Sequence, residues 1–220
     1  MERPYREIRA GYGADTITVY QAYAPAIATP ALRHGRFVAP FKRERMTWVK
    51  PSFLWMMYRC GWGAKPDQEC VLAIEISRAG FEWALANSCP SHHDPDRYAD
   101  HAAWSHHLRR SPVRVQWDPE RDLDLRPLPY RSLQVGLSGT AVDRYVEDWI
   151  VDIRDVTPVA HAVRARLAEG DRTGARAVLP IERPYPLPVD LAVHVGASTV
   201  DGPSPTPVTA PTSRDGDGAR

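Results

Sequence analysis

A chain of 220 residues with 43% hydrophobic side chains and a formal net charge of +1 has the size and apolar content of one globular domain with a tail. No apolar run approaches the ~20 residues of a membrane helix, and the polar start Met1-Glu2-Arg3-Pro4-Tyr5 is unlike a secretory leader, so a cytoplasmic protein with no membrane partner is expected. Three cysteines, Cys60, Cys70 and Cys89, without a CxxC pair argue against a disulfide framework and a zinc knuckle.

The β-branched and aromatic run Thr16–Tyr23 predicts a strand. Pro25 opens a helix over residues 26–33, closed near Gly35. After a basic, irregular stretch, residues 46–49 read as a short strand. Pro51 at a first helical position and Gly61 just past the end frame a helix over residues 52–59. Cys70–Ser77 is the strongest strand pattern, and a short helix over 79–86 follows. Residues 88–112 read mostly as loop, with a helix at 98–108. Residues 113–117 predict a strand, Asp118-Pro119 a turn, and residues 132–137 another strand. Residues 139–147 suggest a helix, and 149–153 either continue it or form a strand. Thr157-Pro158 starts a helix that stops at Gly170. After Pro188 the composition shifts to Pro, Thr, Ser and Gly. The expected division is a domain over residues 1–188 and a disordered tail over 189–220. The elements lack a βαβα rhythm, so the expected class is α+β: a single compact domain with a mixed or antiparallel sheet flanked by short helices.

Charge is uneven. Residues 1–65 hold eleven Lys or Arg against four Asp or Glu. Such a basic third either attracts phosphate-bearing ligands or pairs with the acidic remainder on folding. The three lysines, Lys42, Lys50 and Lys65, all fall within residues 42–65 of a chain that otherwise uses arginine. Where arginine is the default cation, a lysine marks a need for a compact ammonium, unless the clustering is chance.

Residues 45–65 also hold three of the seven tryptophans and three of the four methionines. On the predicted helix, Trp55 and Arg59 share one face, while Phe53, Met56, Met57 and Cys60 line another that reads as core. The helix start at Lys50-Pro51-Ser52 offers N–H groups, partial positive charge, an ammonium and a hydroxyl. It suits a phosphate, unless Lys50 is simply solvated and Arg59 pairs with an acid. Trp48 and Trp62 suit stacking on a nucleobase or nicotinamide. In the first strand Tyr20 and Gln21 face opposite ways, and a buried Gln21 must bond either a ligand or an internal partner. Arg9 lies upstream at an edge of the same region. Arg131 and Gln134 sit in a later strand, followed by Glu147, Asp148, Asp152 and Asp155, most of which read as surface charges or caps. Five histidines within residues 92–107 show no HExxH spacing, so no metal is expected and the segment reads as a pH-sensitive loop. The absence of GxxxxGK[ST], GxGxxG and GxSxG removes most standard nucleotide triphosphatases, dinucleotide dehydrogenases and serine hydrolases.

Several of these runs together resemble the DUF4291 family of uncharacterised proteins: residues 16–23, residues 45–59, Gly61-Trp62 with Lys65 and Gln68, residues 117–121, 131–137 and 179–185. The resemblance covers about residues 5–187. At fold level the order of elements is also similar to ADP-ribosyltransferases, with Tyr20-Gln21 on a first strand and Thr47 on a short strand leading into a helix. That similarity implies an enzyme that binds NAD as substrate, or a related nucleotide, and transfers ADP-ribose. Tyr20 and Gln21 would meet the nicotinamide side and Thr47 a ribose. Lys50 and Arg45 would face diphosphate, and Trp48 or Trp62 would stack. Ser52, Arg59, Lys65, Arg9 and Arg131 complete the expected ligand-binding set. Such enzymes place a Glu on a later strand where this chain has Gln134. Glu147 is then the better group to stabilise a cation-like sugar carbon. The alternatives are a non-catalytic nucleotide- or RNA-binding module, or a protein-interaction domain presenting its Trp/Met surface.

Overall fold

The computed structural model describes residues 3–198. Its first half contains β1 (Arg9–Ala10), β2 (Thr16–Tyr23), α1 (Pro25–His34), β3 (Thr47–Val49), α2 (Phe53–Cys60), β4 (Cys70–Ser77), α3 (Arg78–Ala86) and β5 (Ser88–Pro90). There follow α4 (His101–Arg110), β6 (Val113–Arg121), β7 (Pro127–Leu137), α5 (Thr140–Arg144) running into a π-helical turn (Tyr145–Trp149), and β8 (Ile150–Asp155). The last elements are α6 (Thr157–Ala168), α7 (Arg172–Ala177), β9 (Arg183–Pro184) and α8 (Val189–Val195). The strands form an antiparallel sheet β2-β4-β8, a mixed sheet β3-β7-β6-β5 and a small pair β1-β9, so the class is α+β.

Strand periodicity explains the layering. Ile17 and Val19 of β2 and Leu72, Ile74 and Ile76 of β4 point into a core shared with Val113, Val115, Val135 and Leu137 of the mixed sheet. Tyr20, Val71 and Ala73 point the other way, into a second core with Phe53, Met56, Met57 and Cys60 of α2 and Ala160 and Val163 of α6. Both faces of β4 are therefore covered, which is why its sequence is an almost unbroken apolar run. Each fully buried Ile or Leu contributes ~1.5–3 kcal/mol.

Two expectations need correction, and one left open is decided. Asp118-Pro119 does not turn the chain but lies inside β6, where the register shifts between Pro119 and Arg121, and such an irregularity accommodates a proline. Of the two readings left open for residues 149–153, the strand is the one formed, over Ile150–Asp155, because β4 supplies a hydrogen-bonding edge that a helix would waste. The fold does not stop at residue 188. Ala192 and Val195 of α8 are buried, and the Trp117 indole donates to Val195 O at 2.8 Å. Residues 199–220 of the expected tail lie outside the described residues. Among the described residues no helix is long and apolar enough to cross a membrane.

One feature of the topology positions the site. β2 and β3 belong to different sheets but meet at a single backbone bridge, with Tyr20 N donating to Lys50 O at 2.7 Å and Lys50 N to Tyr20 O at 3.3 Å. Beyond it the two strands part, and no further main-chain bond joins them among the described residues.

Candidate functional site

Where β2 and β3 part, a cleft of about 710 Å³ opens, a size that takes a ligand as large as a nucleotide. Gln21, Ala22 and Tyr23 form one lip and Arg45, Met46, Thr47 and Trp48 the other. Lys50 lies at the fork, α2 adds Trp55 and Arg59, and β6 and β7 add Gln116 and Gln134. Lys42, Arg45, Lys50 and Arg59 stand against a single lining carboxylate, Asp67, so the described cleft is basic.

Lys50 precedes a proline, which favours extended backbone and ends β3 at the start of α2. Its side chain is only 6% exposed. Nζ donates to Trp48 O at 3.2 Å and lies 5.3 Å from the centre of the Trp55 ring. Burial, reinforced by the nearby Arg59 guanidinium, pushes the amine down to about 7 against the opposing pull of Asp118 and Cys60. The buried Trp55 indole N–H has no partner among the described residues. Donors in such surroundings are costly unless an acceptor arrives, and an anion supplies one.

Gln21 settles its alternatives in favour of internal bonds. Its Oε1 accepts from Tyr145 OH at 2.7 Å, and its Nε2 donates to Tyr23 OH at 2.9 Å and Trp48 O at 3.1 Å. Tyr23 also hydrogen-bonds Thr47, and burial pushes its hydroxyl up to about 12. Trp48 lies against Gly136, its partner in β7; a Cβ there would stand 3.0 Å from the indole, so a larger residue would have to push the ring back by a few tenths of an ångström. Gln134 Nε2 donates to Asp118 Oδ2 at 2.6 Å, and Gln116 Nε2 to Asp118 Oδ1 at 2.8 Å. The Gln116 oxygen accepts from Ser91, whereas the Gln134 oxygen has no hydrogen-bond partner among the described residues. Gln116 and Asp118 escaped sequence reasoning. The available signal was cross-strand register, since Gln116 pairs with Gln134.

The remaining sequence candidates lie elsewhere. Tyr20 faces the second core edge-on to Phe53, with ring centres 5.3 Å apart. Ser52 caps α2, accepting from Trp55 N at 3.2 Å and donating to Glu120 at 2.9 Å. Glu182 accepts from Phe53 N at 2.7 Å. The helix start that suited a phosphate is thus filled by the chain's own acceptors, which satisfy the same N–H groups and dipole. Glu182 is partly exposed as a residue, but its carboxyl group lies inside, and burial pushes it up to about 8. Trp62 is buried in the second core. Lys65 Nζ donates to Arg59 O at 2.8 Å and so closes the C-terminal end of α2. Arg9 is held by Glu7 and by Glu182 O, and Arg131 by the Tyr5 hydroxyl. Glu147 is exposed and ion-paired with Arg36 and Arg43, outside the cleft. In the same π-helical turn it is Tyr145 that points inward, onto Gln21. The histidines pack among themselves and with aromatics: His101 on Trp104 with ring centres 4.8 Å apart, and His107 Nδ1 on Tyr98 OH at 2.6 Å.

No curated protein matches the chain. The family model described as "Domain of unknown function (DUF4291)" matches residues 7–185, which include every residue lining the cleft, and the chain belongs to that family.

Proposed function

We propose that the cleft binds NAD or a related nucleotide and that the protein transfers its ADP-ribosyl group, with no metal taking part. The carrying observation is the excess of cations in the cleft: Lys42, Arg45 and Arg59 against Asp67, with the Lys50 amine beside them. A diphosphate supplies the acceptors these donors lack, and Arg45 and Arg59 keep their charge at any physiological pH. Trp48 offers a face for a ring, worth ~1–3 kcal/mol per stacked base.

In the transfer the bond from nicotinamide nitrogen to the ribose carbon breaks, nicotinamide leaves with the electron pair, and an acceptor nucleophile bonds the sugar carbon. Positive charge grows on the sugar. Asp118, bonded to the Gln134 amide, polarises that amide so that its oxygen carries extra negative charge, which suits stabilisation of the cation.

A second reading is a non-catalytic nucleotide- or RNA-binding module. It is favoured by the position of Glu147, the one carboxylate expected to act, on the surface in ion pairs. Calorimetric titration with NAD, paired with chromatographic assay of released nicotinamide, decides between them. Binding that weakens roughly tenfold or more in Arg59→Ala is expected, since a charge-assisted bond is worth ~1.5–3 kcal/mol. Absence of NAD binding by the unaltered chain sinks the first reading. Binding without nicotinamide release leaves the second. Affinity for RNA that falls steeply with salt selects its nucleic-acid form.

A further inference from the structure

The three lysines differ in what surrounds them. Lys42 is exposed at the cleft mouth. Lys65 donates to the carbonyls of Arg59 and Tyr58, which hold it as an ammonium. Lys50 alone is buried, and it lines a cavity. Among the described residues it forms no ion pair, its single acceptor is Trp48 O at 3.2 Å, and the aromatic face of Trp55 covers it. The titratable groups acting on it are the charged Arg59 and the buried thiol of Cys60 from α2, and Asp118 from β6. A lysine drawn out of water beside a second cation gives up its proton readily and becomes a nucleophile at neutral pH.

We propose that Lys50 is a nucleophilic amine that condenses with the carbonyl carbon of a phosphate-bearing aldehyde, such as a ring-opened sugar phosphate, held in the cleft. The inference rests on the reading of the cleft as an anion site, with Arg59 and Arg45 holding the phosphate while Lys50 reacts. The lone pair of the neutral amine attacks the carbonyl carbon. The carbonyl oxygen takes up a proton, and the carbinolamine loses water to leave a carbon–nitrogen double bond. Amine and aldehyde give imine and water, with no change in oxidation level and no co-reactant. Burial by Trp55 limits the return of water to that bond.

The full chain is treated with pyridoxal 5′-phosphate, which carries both an aldehyde and a phosphate. Any imine is then fixed by borohydride, and the labelled lysine is located by peptide mass spectrometry. One pyridoxyl group on Lys50 is expected, with a labelling rate that rises through pH 7 and then levels as the amine becomes fully neutral. Lys50→Arg, its fold checked by thermal unfolding, takes up no label at the cleft. Label confined to Lys42 or Lys65, no label at all, or a rate on Lys50 still climbing at alkaline pH overturns the proposal. The outcome is independent of the NAD titration. Labelling of Lys50 without NAD binding leaves the amine chemistry and removes the transferase reading, and NAD binding without labelling does the reverse.

Discussion

Lys50 and Ser52 stand two residues apart and face clusters of opposite charge. On the cleft side, Lys50 sits with Arg59 and the Trp55 indole N–H, all donors, and its one acceptor is Trp48 O. On the other side, Ser52 sits with Glu120 and Glu182, whose oxygens accept from the Ser52 hydroxyl, Arg121 N and Phe53 N. The acid cluster is closed by the chain's own donors and the basic cluster is open. That difference separates a helix cap, complete in itself, from a cluster whose Trp55 indole N–H has no acceptor among the described residues, as the proposed binding of an anion requires.

The comparison can be broken first at the ligand. Arg45→Ala combined with Arg59→Ala should lower affinity for a diphosphate-bearing ligand by roughly a hundredfold, read by calorimetry, while leaving the unfolding midpoint nearly unchanged. Next comes the closed cluster. Glu182→Ala strands the Phe53 N–H and should cost ~1–3 kcal/mol in urea unfolding, whereas Glu182→Gln keeps an acceptor and recovers most of it. Ser52→Ala removes a cap and should cost about 1 kcal/mol. A further effect distinguishes the two clusters by pH. The Lys50 amine, at about 7 when folded against 10.5 ordinarily, makes the unfolded chain bind more protons between those values, so stability rises with pH across that window. Glu182, at about 8 when folded against 4.5 ordinarily, makes the native state bind more protons, so its contribution is lost as pH rises through that range. Together these two groups give least stability near pH 7–8. Thermal unfolding against pH should show Lys50→Met flattening the alkaline limb and Glu182→Gln the acid limb. The smallest effect belongs to Glu147→Gln. Its exposed ion pairs contribute ~0.2–1 kcal/mol, and ligand affinity should not move.

Local chemistry made much of this fold legible. The alternation of residues 16–23, the apolar run of 70–77 and the Pro51-to-Gly61 frame predicted β2, β4 and α2, because each carries its signal within a few residues. The strands β1, β5 and β9 were not legible. Two or three residues carry no period, and their pairing depends on partners far along the chain, as Arg9 with Pro184 shows. Composition misjudged α8, since the prolines that flank it say nothing about Ala192 and Val195 finding the core. In the site, Arg45, Thr47, Trp48 and Lys50 were legible because one short segment carries them. The acids opposite Ser52 were not, because Glu120 and Glu182 lie 68 and 129 residues from the groups they bind.

The single bridge between Tyr20 and Lys50 has a consequence for how any occupant is oriented. Two strands joined by one backbone bridge and tied beyond it only through side chains, as Gln21 is to Trp48 O, make a fork whose backbone closes at Lys50. The residue at that stop is also the one carrying the buried amine. In the proposed binding of a long ligand, chain connectivity would act as a depth gauge: its inner end would meet Lys50, and its outer end would lie beside the exposed Arg45 and Lys42.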